Sequence, residues 1–162
     1  MKTRPGASDI RFLRQAIRLA GAGVKAGRGG PFGAVVVRGA TVVGHGCNRV
    51  TSGNDPTAHA EIVAIREACR RLETFSLAGC RIYCSCEPCP MCLAAIHWAR
   101  LDAVWCAATR GDAARAGFDD AFLYGELRRP PGRRSLRLRR GLRAAARQVM
   151  DAWTRKRDRV PY

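Results

Sequence analysis

Residues 80–108 read CRIYCSCEPCPMCLAAIHWARLDAVWCAA, and their order decides the fold. Cys80 to Cys86 reads as a strand, Pro88 to Ala99 as a helix, and Ala103 to Ala108 as a second strand. A strand, a helix and a strand in immediate succession imply an α/β sandwich whose later strands are joined by crossover helices. Working outward, Phe32 to Val37 and Thr41 to Gly46 are β-rich runs around Arg38-Gly39-Ala40, which reads as a hairpin. The polar stretch Arg49 to Asp55 reads as a loop. Asp55-Pro56 then offers a cap and a first-turn proline for a helix from Pro56 to about Leu72, with Ile62, Ile65 and Cys69 on its core stripe. Nearer the start, Ser8 or Asp9 can cap a helix ending near Gly27, its apolar stripe being Ile10, Leu13, Ile17, Ala20 and Val24. Pro130-Pro131-Gly132 marks a break, after which Leu142 to Arg155 fits a final amphipathic helix.

The chain has 162 residues, is 47% hydrophobic and 26% charged, and so has the composition of one packed globular domain. Arg11, Arg14 and Arg18 interrupt the only N-terminal stretch that a signal peptide could use, and no run is long and apolar enough to span a bilayer. Eight cysteines in such a chain read as thiols or metal ligands, and the expected compartment is the cytoplasm. The formal charge of +16 is uneven. Residues 1–127 carry 16 Lys+Arg against 11 Asp+Glu, net +5, whereas residues 128–162 carry 13 against 2, net +11. The chain therefore reads as a core domain, 1–127, followed by a basic C-terminal segment, 128–162. That segment is either a nucleic-acid-binding element or a solvated helical face, and the near absence of lysine suits an arginine-favouring genome.

The chemistry-bearing residues sit at two helix starts. His59-Ala60-Glu61 opens one helix, and Pro88-Cys89-Pro90-Met91-Cys92 opens the next. Imidazole and two thiolates are zinc ligands, and three protein ligands leave a fourth tetrahedral position for water, the arrangement of a catalytic site. Thiolates at helix N-termini are further favoured by the backbone N–H groups there. A carboxylate beside such a water can take its proton and return it to a leaving amine, which makes Glu61 the candidate proton carrier. Taken singly, the C-x-x-C pair can be a redox pair and His59 a structural histidine; Cys84 and Cys86 can join Cys89 and Cys92 in a four-cysteine knuckle, or simply pack on one strand face. H-x-E followed by P-C-x-x-C, in this order, is the signature of the zinc nucleobase deaminases.

The strings Gly29-Gly30-Pro31-Phe32-Gly33-Ala34-Val35, Asn54-Asp55-Pro56-Thr57-Ala58-His59-Ala60-Glu61, Cys86-Glu87-Pro88-Cys89-Pro90-Met91-Cys92 and Ala116-Gly117-Phe118-Asp119-Asp120 resemble those of the small bacterial guanine deaminases. The similarity runs from about Ile10 to Glu126 and thins across the Arg-rich segment. The resemblance implies a three-layer cytidine deaminase-like α/β fold with a mixed central sheet and helices on both faces. It also implies one Zn2+ per chain on His59, Cys89 and Cys92, and hydrolysis of guanine to xanthine and ammonia. By motif position, Glu61 and Asp120 are catalytic, and Phe32, Asn48, Ala60, Trp98 and Asp120 meet the purine. The family's homodimer exchanges its C-terminal segment, so that Tyr162 would enter the partner's site. Read without the resemblance, Phe32 and Trp98 are equally core residues, Asn48 a turn residue and Asp119-Asp120 a helix cap. Guanosine deamination, and editing of tRNA adenosine with the basic segment holding RNA, share the same motifs; nucleic acid is not the favoured partner, and no membrane association is expected.

Overall fold

A computed structural model describes residues 4–162, which divide into two compact units, one running to Asp120 and the other Ala121–Tyr162. Met1-Lys2-Thr3, the first residues of the 1–127 core domain read from the sequence, lie outside the described residues. The division falls a few residues before the 127/128 boundary drawn from charge, because helix α6 (Ala121–Arg128) belongs to the second unit.

The first unit is built on four strands, β1 (Gly33–Arg38), β2 (Thr41–Cys47), β3 (Cys80–Cys86) and β4 (Ala103–Ala108), in the order β2-β1-β3-β4. β1 pairs antiparallel with both β2 and β3, whereas β3 and β4 run parallel with Ile82 opposite Val104. The sheet is therefore mixed. The β1–β2 hairpin turns at Gly39, whose φ of +60° suits a residue without a side chain. The parallel pair is joined by α4 (Pro90–Trp98), the crossover that the opening stretch implied.

Alternate residues of each strand feed two cores, as a period of two requires. Val35, Val37 and Tyr83 pack with Phe12 of α1 (Ala7–Lys25) on one face. Ala34, Val36, Ile82 and Cys84 pack with Ala60, Ala64 and Ala68 of α3 (Ala60–Leu72), and with Ile96 of α4, on the other. The result is the three-layer fold, with helices on both faces.

Helix α1 corrects the expected stripe. Ala20 is buried and Leu13 packs partly buried on the core, as that stripe expects, but Phe12, Ala16 and Gly23 complete the inner face while Ile10, Ile17 and Val24 are exposed. Close approach sets part of the inner face: a Cβ on Gly33 would lie 2.2 Å from the Ala16 carbonyl oxygen and one on Gly23 2.9 Å from the Cys47 Cβ, so small residues stand there beside the large apolar Phe12. The cap is also different. Gly6 is the N-cap, and Asp9 accepts the Gly6 N–H from the third helical position. The same carboxylate accepts the Tyr83 hydroxyl at 2.7 Å, which ties the helix start to the sheet centre.

The second helix starts later than Pro56. Asp55 Oδ1 accepts both the Thr57 N–H, at 2.8 Å, and the Thr57 hydroxyl, at 2.6 Å, making a turn in place of the expected cap. His59 remains extended as the N-cap of α3, and the helix begins at Ala60. Similarly, α4 begins at Pro90 with Cys89 as its N-cap. The second unit holds α6, a single 3₁₀ turn at Pro131–Arg133 and α7 (Arg143–Arg155), with no buried residue in any of the three.

Candidate active site

The two helix starts converge. His59 and Cys89 are N-caps, and Cys92 stands at the third position of α4. What brings α3 to this place is a glycine: a Cβ on Gly46 of β2 would fall 2.5 Å from the Ala60 carbonyl oxygen. His59 Nδ1 lies 3.6 Å from Cys89 Sγ and 3.5 Å from Cys92 Sγ, and the three donor atoms all lie within 4.8 Å of one another. A tetrahedral ion with ordinary Zn–S and Zn–N bonds sets its donors about 3.5 Å apart, so the trio fits zinc in donor type and spacing. It is the only such cluster among the described residues. Cys84 and Cys86 stand outside it, which removes the four-cysteine knuckle. Cys84 is part of the core and burial pushes it well above the usual thiol range; Cys86 is pushed up to about 11, again by burial, and its thiol donates to the Thr109 carbonyl.

Electrostatically the corner is tightly coupled. The Cys92 thiol, with His59 beside it, draws Cys89 down to about 4, while Cys92 is pushed up by the same shared proton and by burial. His59 is raised by its hydrogen bond with Cys89. Glu61, on the first turn of α3, is buried at 7% exposure, and burial followed by the nearby Cys89 raises its carboxyl above the ordinary range. A buried carboxylate one helical step from a ligand is costly unless its charge is used, and a metal corner is where it can be.

Other expected site residues fall into two groups. Asn48 is buried and its Oδ1 accepts the N–H groups of Gly30 and Val50, at 3.2 and 3.1 Å. It thereby closes the Gly29-Gly30 loop against the short helix α2 (Val50–Gly53), which occupies what the sequence suggested was plain loop. A Cβ on Gly29 would sit 2.3 Å from that oxygen. Phe32, half-buried at the loop's end, meets Phe118 edge to face at 5.0 Å between ring centroids. Ala60 is fully buried at the start of α3. Trp98 closes α4 but is 67% exposed, so it is not a core residue of this chain. Asp120 is mostly covered and lies 3.8 Å from Arg110 Nε. Tyr162 belongs to the second unit and is exposed.

Three participants were not anticipated. Ser85 accepts the Gly33 N–H at 2.9 Å and so fixes the strand that follows Phe32. The signal was present in the alternation: if Cys84 and Cys86 share one face, Ser85 is a polar residue on the other and needs a partner. Phe118 stood within a quoted motif without a role. Arg110 opens α5 (Arg110–Arg115), where its N–H donates to Glu87 Oε2 while its guanidinium faces Asp120. Nothing local in the sequence pairs Arg110 with Asp120.

Residues 7–108 match the cytidine and deoxycytidylate deaminase zinc-binding region. The chain belongs to this family of zinc-dependent deaminases, and zinc is its metal. Within it, the chain is 55% identical over 125 residues to the guanine deaminase of Bacillus subtilis strain 168, covering 77% of this chain and 80% of that protein. The X-ray structure of the guanine deaminase from Bacillus subtilis superposes with a TM-score of 0.91 at 47% identity, covering 94% of this chain and 98% of that one. A tRNA-specific adenosine deaminase from Aquifex aeolicus strain VF5 is 43% identical over 93 residues, 57% of this chain and 61% of that protein.

Proposed function

We propose that this chain hydrolyses guanine at C2, giving xanthine and ammonia. The observation that carries the reading is its match to a guanine deaminase along almost the whole chain, where the tRNA-directed relative matches little more than half. His59, Cys89 and Cys92 hold the zinc. When bound, the ion supplies Lewis acidity, which makes a water nucleophilic near neutral pH. Glu61, enclosed beside the ligands, takes the proton of the attacking water and delivers it to the departing amino group. Phe32, Ala60 and Trp98 form walls for the purine, and Asn48 and Asp120 hydrogen-bond its edge. Guanine presents N1–H and a 2-amino group, both donors, to the acceptor-only carboxylate of Asp120.

The chain works as a homodimer that exchanges its C-terminal segment, with Tyr162 completing the partner's site. Supporting this, Phe122, Leu127, Val149 and Met150 of the second unit are each more than 60% exposed, as are several more of its apolar side chains. Apolar surface of that extent asks for a partner. The proposed compartment is the cytoplasm, in keeping with eight free thiols. Among the described residues no helix is long and apolar enough to cross a membrane.

The test is to incubate zinc-loaded protein with guanine, guanosine, adenine, cytosine, cytidine and tRNA, following ammonia and product mass. Ammonia from guanine with xanthine as product is expected. Release from guanosine alone, or inosine in tRNA with guanine untouched, would replace this reading.

A further inference from the structure

Residues 128–140 contain seven arginines, and five of them, Arg128, Arg133, Arg137, Arg139 and Arg140, have guanidinium groups with no hydrogen bond or ion pair among the described residues. All five are exposed. Arg129 is held by Glu126 at 2.6 Å, and Arg134 donates to the Arg129 carbonyl. The second unit has little acid with which to answer them. Of its three acidic residues, Glu126 is taken by Arg129 and Ser135, and Asp158 by Lys156, leaving Asp151. Like charges gathered without counter-charge repel one another, and a polyanion relieves that repulsion by displacing many small ions at once.

The backbone narrows the kind of polyanion. Apart from the turn at Pro131–Arg133, residues 129–142 have no regular structure, so the guanidiniums are strung along an irregular chain rather than gathered at one point. Advancing at most about 3.3–3.6 Å per residue, such a chain spreads its guanidiniums over a length that several successive phosphates of one strand can meet. The planar guanidinium also matches a phosphate with two parallel N–H donors. A lipid surface would call instead for these arginines to lie on a helix with one apolar face, as those of 128–140 beyond Arg128 do not. Here the exposed Leu136 and Leu138 flank Arg137 outside any helix. We infer that residues 128–140 are a docking surface for the phosphate backbone of a nucleic acid, bound without reading its sequence. The nucleic acid is a tether and not the substrate, so the inference stands whether or not guanine is deaminated.

The experiment titrates the zinc-loaded protein against a fluorescein-labelled oligouridylate of about 20 nucleotides, read by anisotropy from about 50 to 200 mM salt. With five phosphate contacts the slope of log K against log salt is expected near −3.5, at about −0.7 per contact for single strands, so binding weakens about a hundredfold over that range. The combined substitution Arg133→Gln, Arg137→Gln, Arg139→Gln and Arg140→Gln should flatten the slope to about −0.7. Zinc content, circular dichroism and oligomer mass of this variant establish that it is folded. The wild-type slope tests the inference even if the variant is not. Leu136→Ser with Leu138→Ser should leave RNA binding unchanged. No binding at 50 mM salt, a salt slope near zero, or a folded four-arginine variant that binds like wild type would overturn the inference. So would attachment to phosphatidylserine vesicles by protein that ignores the oligonucleotide.

Discussion

Around the zinc donors, Ala60, Glu61 and Cys92 are each less than a tenth exposed, and α3 and α4 are locked against the sheet by a glycine contact and a shared core. Across Ala121–Tyr162 the pattern is reversed: α6 and α7 have no buried residue, and leucines, a valine and a methionine face solvent. The first region buries the groups around its donors among its own residues, while Ile17, Val24 and Trp98 lie open elsewhere on it. The second carries a positive excess and exposed apolar area that its own residues do not cover. On the proposed function, the first region is a reaction centre whose framework is built locally and the second a segment completed by a partner subunit, and both statements can be broken by experiment.

The largest effect is expected at the metal. Cys89→Ala with Cys92→Ala should abolish zinc and activity together, whereas Cys84→Ala should keep stoichiometric zinc; elemental analysis of the purified variants decides. Zinc retained by the double variant, or lost from Cys84→Ala, would mean that the His59 corner is not the metal site. Next is Glu61→Gln, which should retain zinc but lower turnover by about two to four orders of magnitude, since an amide cannot carry the proton. Normal turnover would make Glu61 a mere buried helix residue.

Smaller changes probe one residue of each unit. Asp120→Asn should reduce guanine turnover and narrow discrimination against adenine, because an amide offers a donor as well as an acceptor. A site whose polar groups match the substrate rejects a mismatched analogue by about 10⁴ to 10⁵, so there is ample range in which to see the ratio of kcat/KM values fall. If the ratio held, Asp120 would not read the base. Deleting Tyr162 should raise KM for guanine with little loss of stability, as a terminal residue seldom supports a core. Mixing that deletion with the Asp120→Asn chain should restore some wild-type sites, which only exchanged segments allow; strictly additive defects would confine each site to one chain.

How far the sequence carried these conclusions also differs between the regions. The hairpin, the parallel crossover and the ligand trio were legible because each rests on local signals: turn glycine, strand alternation, and donors placed at helix starts. Helix α1 was legible as a helix but only partly in its orientation, because part of its inner face was set by the space at Gly33 and Cys47, which periodicity does not register. The start of α3 was misplaced because Asp55 formed a turn with Thr57 in place of a cap. Arg110 beside Asp120 and Ser85 beneath Gly33 were out of reach, since each pair meets only after the chain has folded.

The smallest effect tests whether the first region's stability is its own. Tyr83, fully buried, donates its hydroxyl to Asp9; burial and that bond push the phenol up to about 12, while the bond, helped by the Gly6 N–H, lowers the Asp9 carboxyl. A phenol whose folded pKa lies above its ordinary value of about 10 stabilises the fold fully below pH 10, and that contribution is lost as pH rises through about 12. A carboxylate with a lowered pKa has the opposite sign: its contribution is present above the ordinary carboxylate range and lost as pH falls through the folded value. Tyr83→Phe should therefore cost about 1.5–3 kcal/mol at neutral pH, the usual worth of a hydrogen bond to a charged group. The gap between wild type and variant should close between pH 10 and 12 and again in acid. Urea unfolding at pH 3, 7, 9.5 and 11.5 measures it, and the same gap should persist in the Tyr162 deletion. A pH-independent gap would mean that the Asp9 contact contributes nothing. A gap that vanished with Tyr162 would tie the sheet centre to the C-terminal segment, and the contrast between the two regions would fail.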